Sequence, residues 1–243
     1  MPSRILFVYT SADKTSSGTP TGWWLSEASH PYYLLRELVL LLHIQLWWTP
    51  NASYLQQGEI DFASPKGPNP PVDEGSVKAS TDAESVKFLE DPEVQGKLAN
   101  AKKLADVNPQ DYDAVLYIGG HGPMFDLSID PVNAELGSAF FRSGKITAAV
   151  CHGPGALVGV TDASGKSIFA ERNVTGLSNV EEELIGATKV VPFLLEDRIK
   201  ELGGKYSATE PFGSKVVVDG NVITGQNPAS AFAVGEAILK ALN

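Results

Sequence analysis

The chain has 243 residues, 43% hydrophobic and 20% charged, with one cysteine, four histidines and a formal net charge of −10. This length suits one α/β domain, and the composition excludes a largely disordered chain. One cysteine excludes an internal disulfide and any multi-cysteine metal site, and the acidic balance argues against nucleic acid as a partner, which would call for a basic patch.

Met1–Arg4 leads straight into Ile5–Tyr9, too short an apolar run for a signal peptide, and Leu38–Trp48 falls well short of a membrane span. The expected setting is cytoplasmic, extending to the nucleus, with no membrane partner. Ile5–Tyr9 reads as a buried first strand, and Ser11–Gly22 as a loop rich in Ser, Thr and Gly. His30–Glu37 reads as the start of a helix, Glu59–Ala63 as a second strand, and Pro65–Asp73, with its prolines, as a loop. Asp82–Glu90 and Glu93–Asp106 have the spacing and charge of surface helices.

Ala114–Ile118 is a third strand that ends at Gly119-Gly120-His121-Gly122, Asn133–Arg142 a helix, and Ile146–Val150 a fourth strand running directly into Cys151. Gly153–Gly159 opens a short helix, and Asn173–Thr175 is a later strand. Asp219-Gly220 between Val216–Val218 and Val222–Thr224 signals a two-residue hairpin. Pro228–Leu242 is a closing helix with Asn227 as N-cap. Strands alternating with helices predict a parallel sheet covered on both faces, and with no repeat or dividing linker, residues 1–243 read as one domain.

The most informative stretch is Thr147-Ala148-Ala149-Val150-Cys151-His152-Gly153-Pro154-Gly155. A nucleophile on a sharp strand-to-helix turn crowds the residues two before and two after it, and here these are the small Ala149 and Gly153. A helix N-terminus after the turn favours the thiolate, because its unpaired N–H groups carry partial positive charge. The plain reading is an inert buried thiol; the small flanks and His152 favour the functional one. The Gly120 N–H, with that of His152, suits an oxyanion hole. His30, His43, His121 and His152 show no ligand spacing, so no metal is expected.

Four segments carry a family resemblance: Ser26-Glu27-Ala28-Ser29-His30-Pro31-Tyr32, Gly120-His121-Gly122-Pro123-Met124-Phe125-Asp126, Ala148-Ala149-Val150-Cys151-His152-Gly153-Pro154, and Thr224-Gly225-Gln226-Asn227-Pro228-Ala229-Ser230-Ala231. They resemble the ThiJ/PfpI superfamily, in its glyoxalase III and heat-inducible chaperone branch. The resemblance implies a flavodoxin-like three-layer sandwich with a mainly parallel central sheet and a cysteine nucleophile elbow, similar to class I glutamine amidotransferases. It also implies a cofactor-free, glutathione-independent conversion of methylglyoxal to D-lactate. Carried over, Cys151 is the nucleophile, His152 its proton carrier, and Glu27 the carboxyl group beside the sulfur. The third triad member follows Thr175-Gly176 in the run Glu181-Glu182-Glu183, where the count selects Glu182 and leaves its neighbours as alternatives. The same run also reads as the acidic first turn of a helix.

On this reading Glu27 takes or shares the thiol proton, the sulfur attacks the aldehyde carbon of a small 2-oxoaldehyde to form a hemithioacetal, and His152, oriented by Glu182, shifts a proton between the two carbons before the thioester is hydrolysed. A charged Glu27 would raise the thiol pKa by repulsion, so Glu27 is expected to hold its proton. Other classes stay open: a stress holdase binding unfolded clients through Trp23, Trp24, Trp47 and Trp48, a redox sensor with an accessible low-pKa thiol, and an amidase or peptidase on the same elbow. A homodimer is the expected assembly.

Leu38–Gln57 matches nothing in the family and stands where a short connection of roughly 2–6 residues is expected. It reads either as a helix extension with an apolar docking surface or as translated non-coding sequence.

Overall fold

The computed structural model describes residues 3–46 and 59–243, with the side chains of residues 37–46 outside that description. Arg4–Val8 forms β1, and its pleat explains both faces of the molecule. Ile5 and Phe7 point into one buried cluster, Leu6 and Val8 into the other. All four are apolar because helices cover the sheet on both sides, as parallel strands require.

The chain continues through α1 (Leu25–Leu46), β2 (Glu59–Ser64), α2 (Glu74–Ala79), α3 (Ala83–Glu90), α4 (Pro92–Ala99) and β3 (Lys102–Lys103). It then forms β4 (Ala114–Tyr117), α5 (Pro131–Arg142), β5 (Ile146–Val150), β6 (Asn173–Val174), α6 (Asn179–Leu184), α7 (Leu195–Glu201) and β7 (Lys205–Tyr206). β8 (Val216–Asp219), β9 (Val222–Gly225) and α8 (Ala231–Leu242) close it. Seven strands make the main sheet in the order β3-β2-β1-β4-β5-β9-β8, and β6 pairs with β7 in a small second sheet. Every pairing in the main sheet is parallel except that of β8 with β9, the hairpin turned by Asp219-Gly220. Helices α1 and α8 cover one face, and α5 the other. This is the flavodoxin-like sandwich the sequence predicts.

Several boundaries differ from the sequence reading. α1 begins at Leu25, ahead of His30, and carries Pro31 in its body. Proline cannot donate the helix bond to the carbonyl four residues back, here that of Glu27, yet the helix runs on because its buried face, Leu25, Ala28, Tyr32 and Leu35, packs into the core. The stretch Glu93–Asp106 is no single helix: α4 stops at Ala99, and β3 and a 3-10 turn at Leu104–Asp106 follow. Asn227 and Pro228 introduce a 3-10 turn before α8. Of the segment Leu38–Gln57, residues 38–46 continue α1, and the rest lies outside the described residues. Among the described residues no helix is long and apolar enough to cross a membrane.

Candidate active site at the carboxyl ends of the central strands

β4 and β5 are parallel neighbours, so their exits lie side by side at one end of the sheet, where open α/β folds place ligands. Cys151 comes directly after β5 with φ of 60°, the left-handed backbone that a non-glycine residue rarely adopts. The elbow is held at both backbone groups: the Cys151 N–H donates to the Gly225 carbonyl, and its own carbonyl accepts from the Leu177 N–H, each at 2.9 Å. A side chain at Gly153 would put its Cβ 2.4 Å from the Tyr117 carbonyl oxygen, so the small residue after the nucleophile is a steric requirement.

From this elbow a chain of contacts runs to α6. The Cys151 sulfur lies 3.5 Å from His152 Nδ1, and His152 Nε2 lies 2.7 Å from Glu182 Oε2. Burial raises the Glu182 carboxyl, but hydrogen bonds from His121 and His152 outweigh it and bring it down to about 2. Glu182 is therefore ionised and accepts from His152 Nε2–H, which leaves Nδ1 as the lone pair that faces the thiol. Burial and the adjacent His121 lower the His152 pKa, so the ring is neutral at rest.

α6 separates the three glutamates that the sequence left as alternatives. Ser178 is the N-cap, and Glu181 at N3 closes a capping box with it. Glu181 accepts from Ser178 N and Oγ, Phe212 N, Gln226 Nε2 and Asn227 Nδ2, so its oxygens are fully engaged away from the histidines. Glu182 is buried against His152, and Glu183 is exposed. The pattern Ser178-x-x-Glu181 is the signal that could have assigned Glu181 to the cap from sequence.

On the other side of the sulfur stands Glu27, fully buried in the first turn of α1. Its Oε2 accepts from the Gly119 N–H at 2.9 Å, and the carboxyl faces the Cys151 thiol. Gly119 is needed here, because a Cβ would sit 2.4 Å from Glu27 Oε2 and 2.5 Å from the Val150 carbonyl oxygen. Burial pushes Glu27 well above the usual carboxylate range, beyond what the thiol and the Gly119 N–H draw back, so it is protonated at neutral pH. Glu27 Oε1 is buried without a hydrogen-bond partner.

Two expectations are corrected. Cys151 is not a low-pKa thiol: burial and the Glu27 carboxyl push it well up, against the hydrogen bond from the Gly120 amide. Gly153–Leu157, immediately after the elbow, forms a 3-10 turn, so no α-helix N-terminus aims at the sulfur. The thiol is 4% exposed. Second, the histidines are not all scattered. His121, from the exit of β4, donates from Nε2–H to Glu182 Oε1 at 3.0 Å, and its ring lies 4.3 Å from that of His152. His121, His152 and Glu182 thus bring three metal-capable groups together. In the sequence each histidine stands just past the end of a predicted strand, and the sheet order makes those two strands neighbours. Trp23 is buried in the core, Trp24 is partly exposed, and Trp47 and Trp48 lie outside the described residues.

Comparisons with known proteins fit this geometry. The chain is 28% identical to the glutathione-independent glyoxalase of Saccharomyces cerevisiae over 251 residues, which cover 99% of this chain and 98% of that protein. It is 27% identical to glyoxalase 3 of Candida albicans over 248 residues, 98% of each. Among solved structures it is similar to the 24 kDa rapid encystment protein of Francisella tularensis, with a TM-score of 0.86, 37% identity and 99% of each chain covered. The crystal structure of glyoxalase III from Candida albicans gives a TM-score of 0.83 at 25% identity, covering 98% of this chain and 97% of that one. Residues 74–241, more than half of the chain, match the DJ-1/PfpI family, and the chain therefore belongs to it.

Proposed function

We propose that the protein is a glutathione-independent glyoxalase that converts methylglyoxal, or a closely related 2-oxoaldehyde, to the D-2-hydroxy acid. The observation that carries this reading is the continuous path from the Cys151 sulfur through His152 to an ionised Glu182, with the neutral Glu27 on the sulfur's other side. Full-length relatives named as glutathione-independent glyoxalases support it.

In the mechanism, His152 Nδ1 takes the proton of the Cys151 thiol as sulfur bonds to the aldehyde carbon, and Glu182 stabilises the imidazolium. Glu27 keeps its proton and donates a hydrogen bond to the sulfur. The aldehyde oxygen gains the negative charge and is held by the Gly120 and His152 N–H groups until His152 returns the proton, giving a neutral hemithioacetal. His152, neutral again, removes the hydrogen of the former aldehyde carbon and delivers it to the neighbouring carbon through an enediol. The hemithioacetal carbon is thereby oxidised to a thioester and the ketone reduced to an alcohol. Water cleaves the thioester, releasing the hydroxy acid and restoring the thiol. Electrons stay within the substrate, so no external oxidant or reductant enters.

A stress-holdase role would also draw on exposed apolar side chains near the site. Val180 and Leu184 on α6 and Ile185 at its C-cap are 55%, 62% and 47% exposed.

The test is conversion of methylglyoxal without glutathione, with D-lactate measured by a stereospecific assay. Wild type should convert it and Cys151→Ala should not. Equal turnover by the two proteins would refute the covalent route.

A further inference from the structure

We propose that His121, His152 and Glu182 form a binding site for one zinc-type divalent ion, and that occupancy of this site switches the thiol chemistry off. Three elements supply the ligands: the exit of β4, the exit of β5 and the first turn of α6. Each of the three offers one ligand atom, a ring nitrogen or a carboxylate oxygen, and these lie within 4.8 Å of one another. Zinc sits about 2.0–2.2 Å from imidazole nitrogen and carboxylate oxygen, so its ligand atoms stand roughly 3.3 Å apart in a tetrahedron. His121 Nε2 lies 3.0 Å from Glu182 Oε1 and His152 Nε2 lies 2.7 Å from Glu182 Oε2, so the carboxylate stands between the two rings with one oxygen toward each.

The chemistry of the donors selects the ion. Two imidazoles and a carboxylate suit zinc, whereas magnesium and calcium prefer oxygen ligands. Access comes from the His121 side, 21% exposed where the His152 and Glu182 side chains are 2% exposed. The Cys151 sulfur contacts the other ring nitrogen, Nδ1, and so lies outside the ligand set.

The consequence for the thiol comes from the imidazole tautomer. In the free protein His152 Nε2–H donates to Glu182, and Nδ1 offers a lone pair to the thiol. A metal on Nε2 takes that nitrogen's lone pair, so the ring proton moves to Nδ1. The ring loses no proton overall, but Nδ1–H now points at the sulfur as a donor and cannot accept the thiol proton. Ligation also draws on the Glu182 charge that stabilises the imidazolium. Binding stands independently of the proposed glyoxalase activity; the switching half rests on His152 acting as the base.

Titration calorimetry with zinc chloride on the tag-free full chain tests binding. Wild type and Cys151→Ala should each bind one zinc per chain, and magnesium chloride should give no binding heat. His121→Ala and Glu182→Gln should weaken zinc by more than about 100-fold, since loss of a ligand exceeds the 10–100-fold effect of an outer partner. Cobalt(II) added to wild type should show d–d bands of a nitrogen–oxygen site without a sulfur charge-transfer band, a readout that does not depend on how the variants fold. Zinc should also stop methylglyoxal consumption by wild type, and a chelator should restore it. Absence of stoichiometric zinc binding, or binding lost in Cys151→Ala but kept in His121→Ala, would overturn the site. Zinc bound at full occupancy with undiminished turnover would overturn the switch. A protein that binds zinc but never consumes methylglyoxal would contradict the glyoxalase reading and the switch, leaving the site standing.

Discussion

Glu27 and Glu182 are both buried carboxyl groups beside the same cysteine–histidine pair, yet they hold opposite charge states. Glu27 is seated by one backbone N–H at the start of α1 and is kept neutral by desolvation. Glu182, on α6, meets two histidine rings, which draw it down to about 2. Burial pushes both upward; the number and kind of donors decide which side wins. A protonated acid on one side of the sulfur and a carboxylate behind the histidine on the other give the site both a hydrogen-bond donor and a stabiliser of positive charge.

Removing the charge at Glu182 should break this asymmetry most severely. Glu182→Gln can still meet the histidines, but it gives no anion to stabilise the imidazolium and can present the wrong tautomer to the sulfur. We expect kcat to fall by roughly 10²–10⁴-fold with KM little changed. A rate near wild type would show that His152 does not depend on Glu182.

The seat of Glu27 is the next target. Gly119→Ala forces a methyl group against Glu27 Oε2 and the Val150 carbonyl. It should destabilise the fold by about 1–3 kcal/mol and lower Tm by about 2–4 °C per kcal/mol for a domain of this size. Unchanged thermal unfolding would mean that the junction of α1 with β4 and β5 yields without cost.

Glu181 offers an internal control on the same helix. Burial raises its pKa, but its hydrogen bonds hold it below its ordinary 4.5. A carboxyl lowered by folding stabilises the protein above its unfolded value, and that contribution is lost as pH falls through the folded value. Glu181→Gln should therefore reduce stability at neutral pH by about 1–3 kcal/mol, and the loss should shrink below pH 4.5. Urea unfolding across this range measures it; a loss independent of pH would assign the effect to hydrogen-bond geometry instead of charge.

Glu27→Gln should have the smallest effect. The amide keeps an acceptor for Gly119 and a donor for the sulfur, reproducing the neutral acid. Turnover should stay within about tenfold of wild type, a cost below about 1.4 kcal/mol, and the pH dependence of Cys151 alkylation should scarcely move. A steep loss of activity would indicate that Glu27 gives up its proton during catalysis.

The elbow was the most legible part of the sequence, because an apolar strand running into Cys151 between Ala149 and Gly153 has a steric meaning without any knowledge of its neighbours. The Asp219-Gly220 hairpin was legible for a similar local reason. The β3 edge strand was not: two lysines joined to β2 carry no apolar periodicity, and their pairing comes from the tertiary fold. The start of α1 was masked by Pro31, which local rules place near a helix beginning, whereas burial of Leu25 and Ala28 extends the helix upstream. The thiol's raised pKa was equally hidden, since it depends on how completely the surrounding elements exclude water from Cys151. His121 needed strand order, which sets the exits of β4 and β5 beside each other.

The positive φ of Cys151 bears on how inactive forms of this protein are best made. Alanine at that position removes the sulfur but keeps the backbone strain, whereas glycine accepts the left-handed conformation readily. Cys151→Gly should therefore outlast Cys151→Ala on heating, and it is the better scaffold for trapping an unreacted substrate. It also means that selection for thermal endurance alone would move this codon away from cysteine, so here durability and chemistry pull one residue in opposite directions.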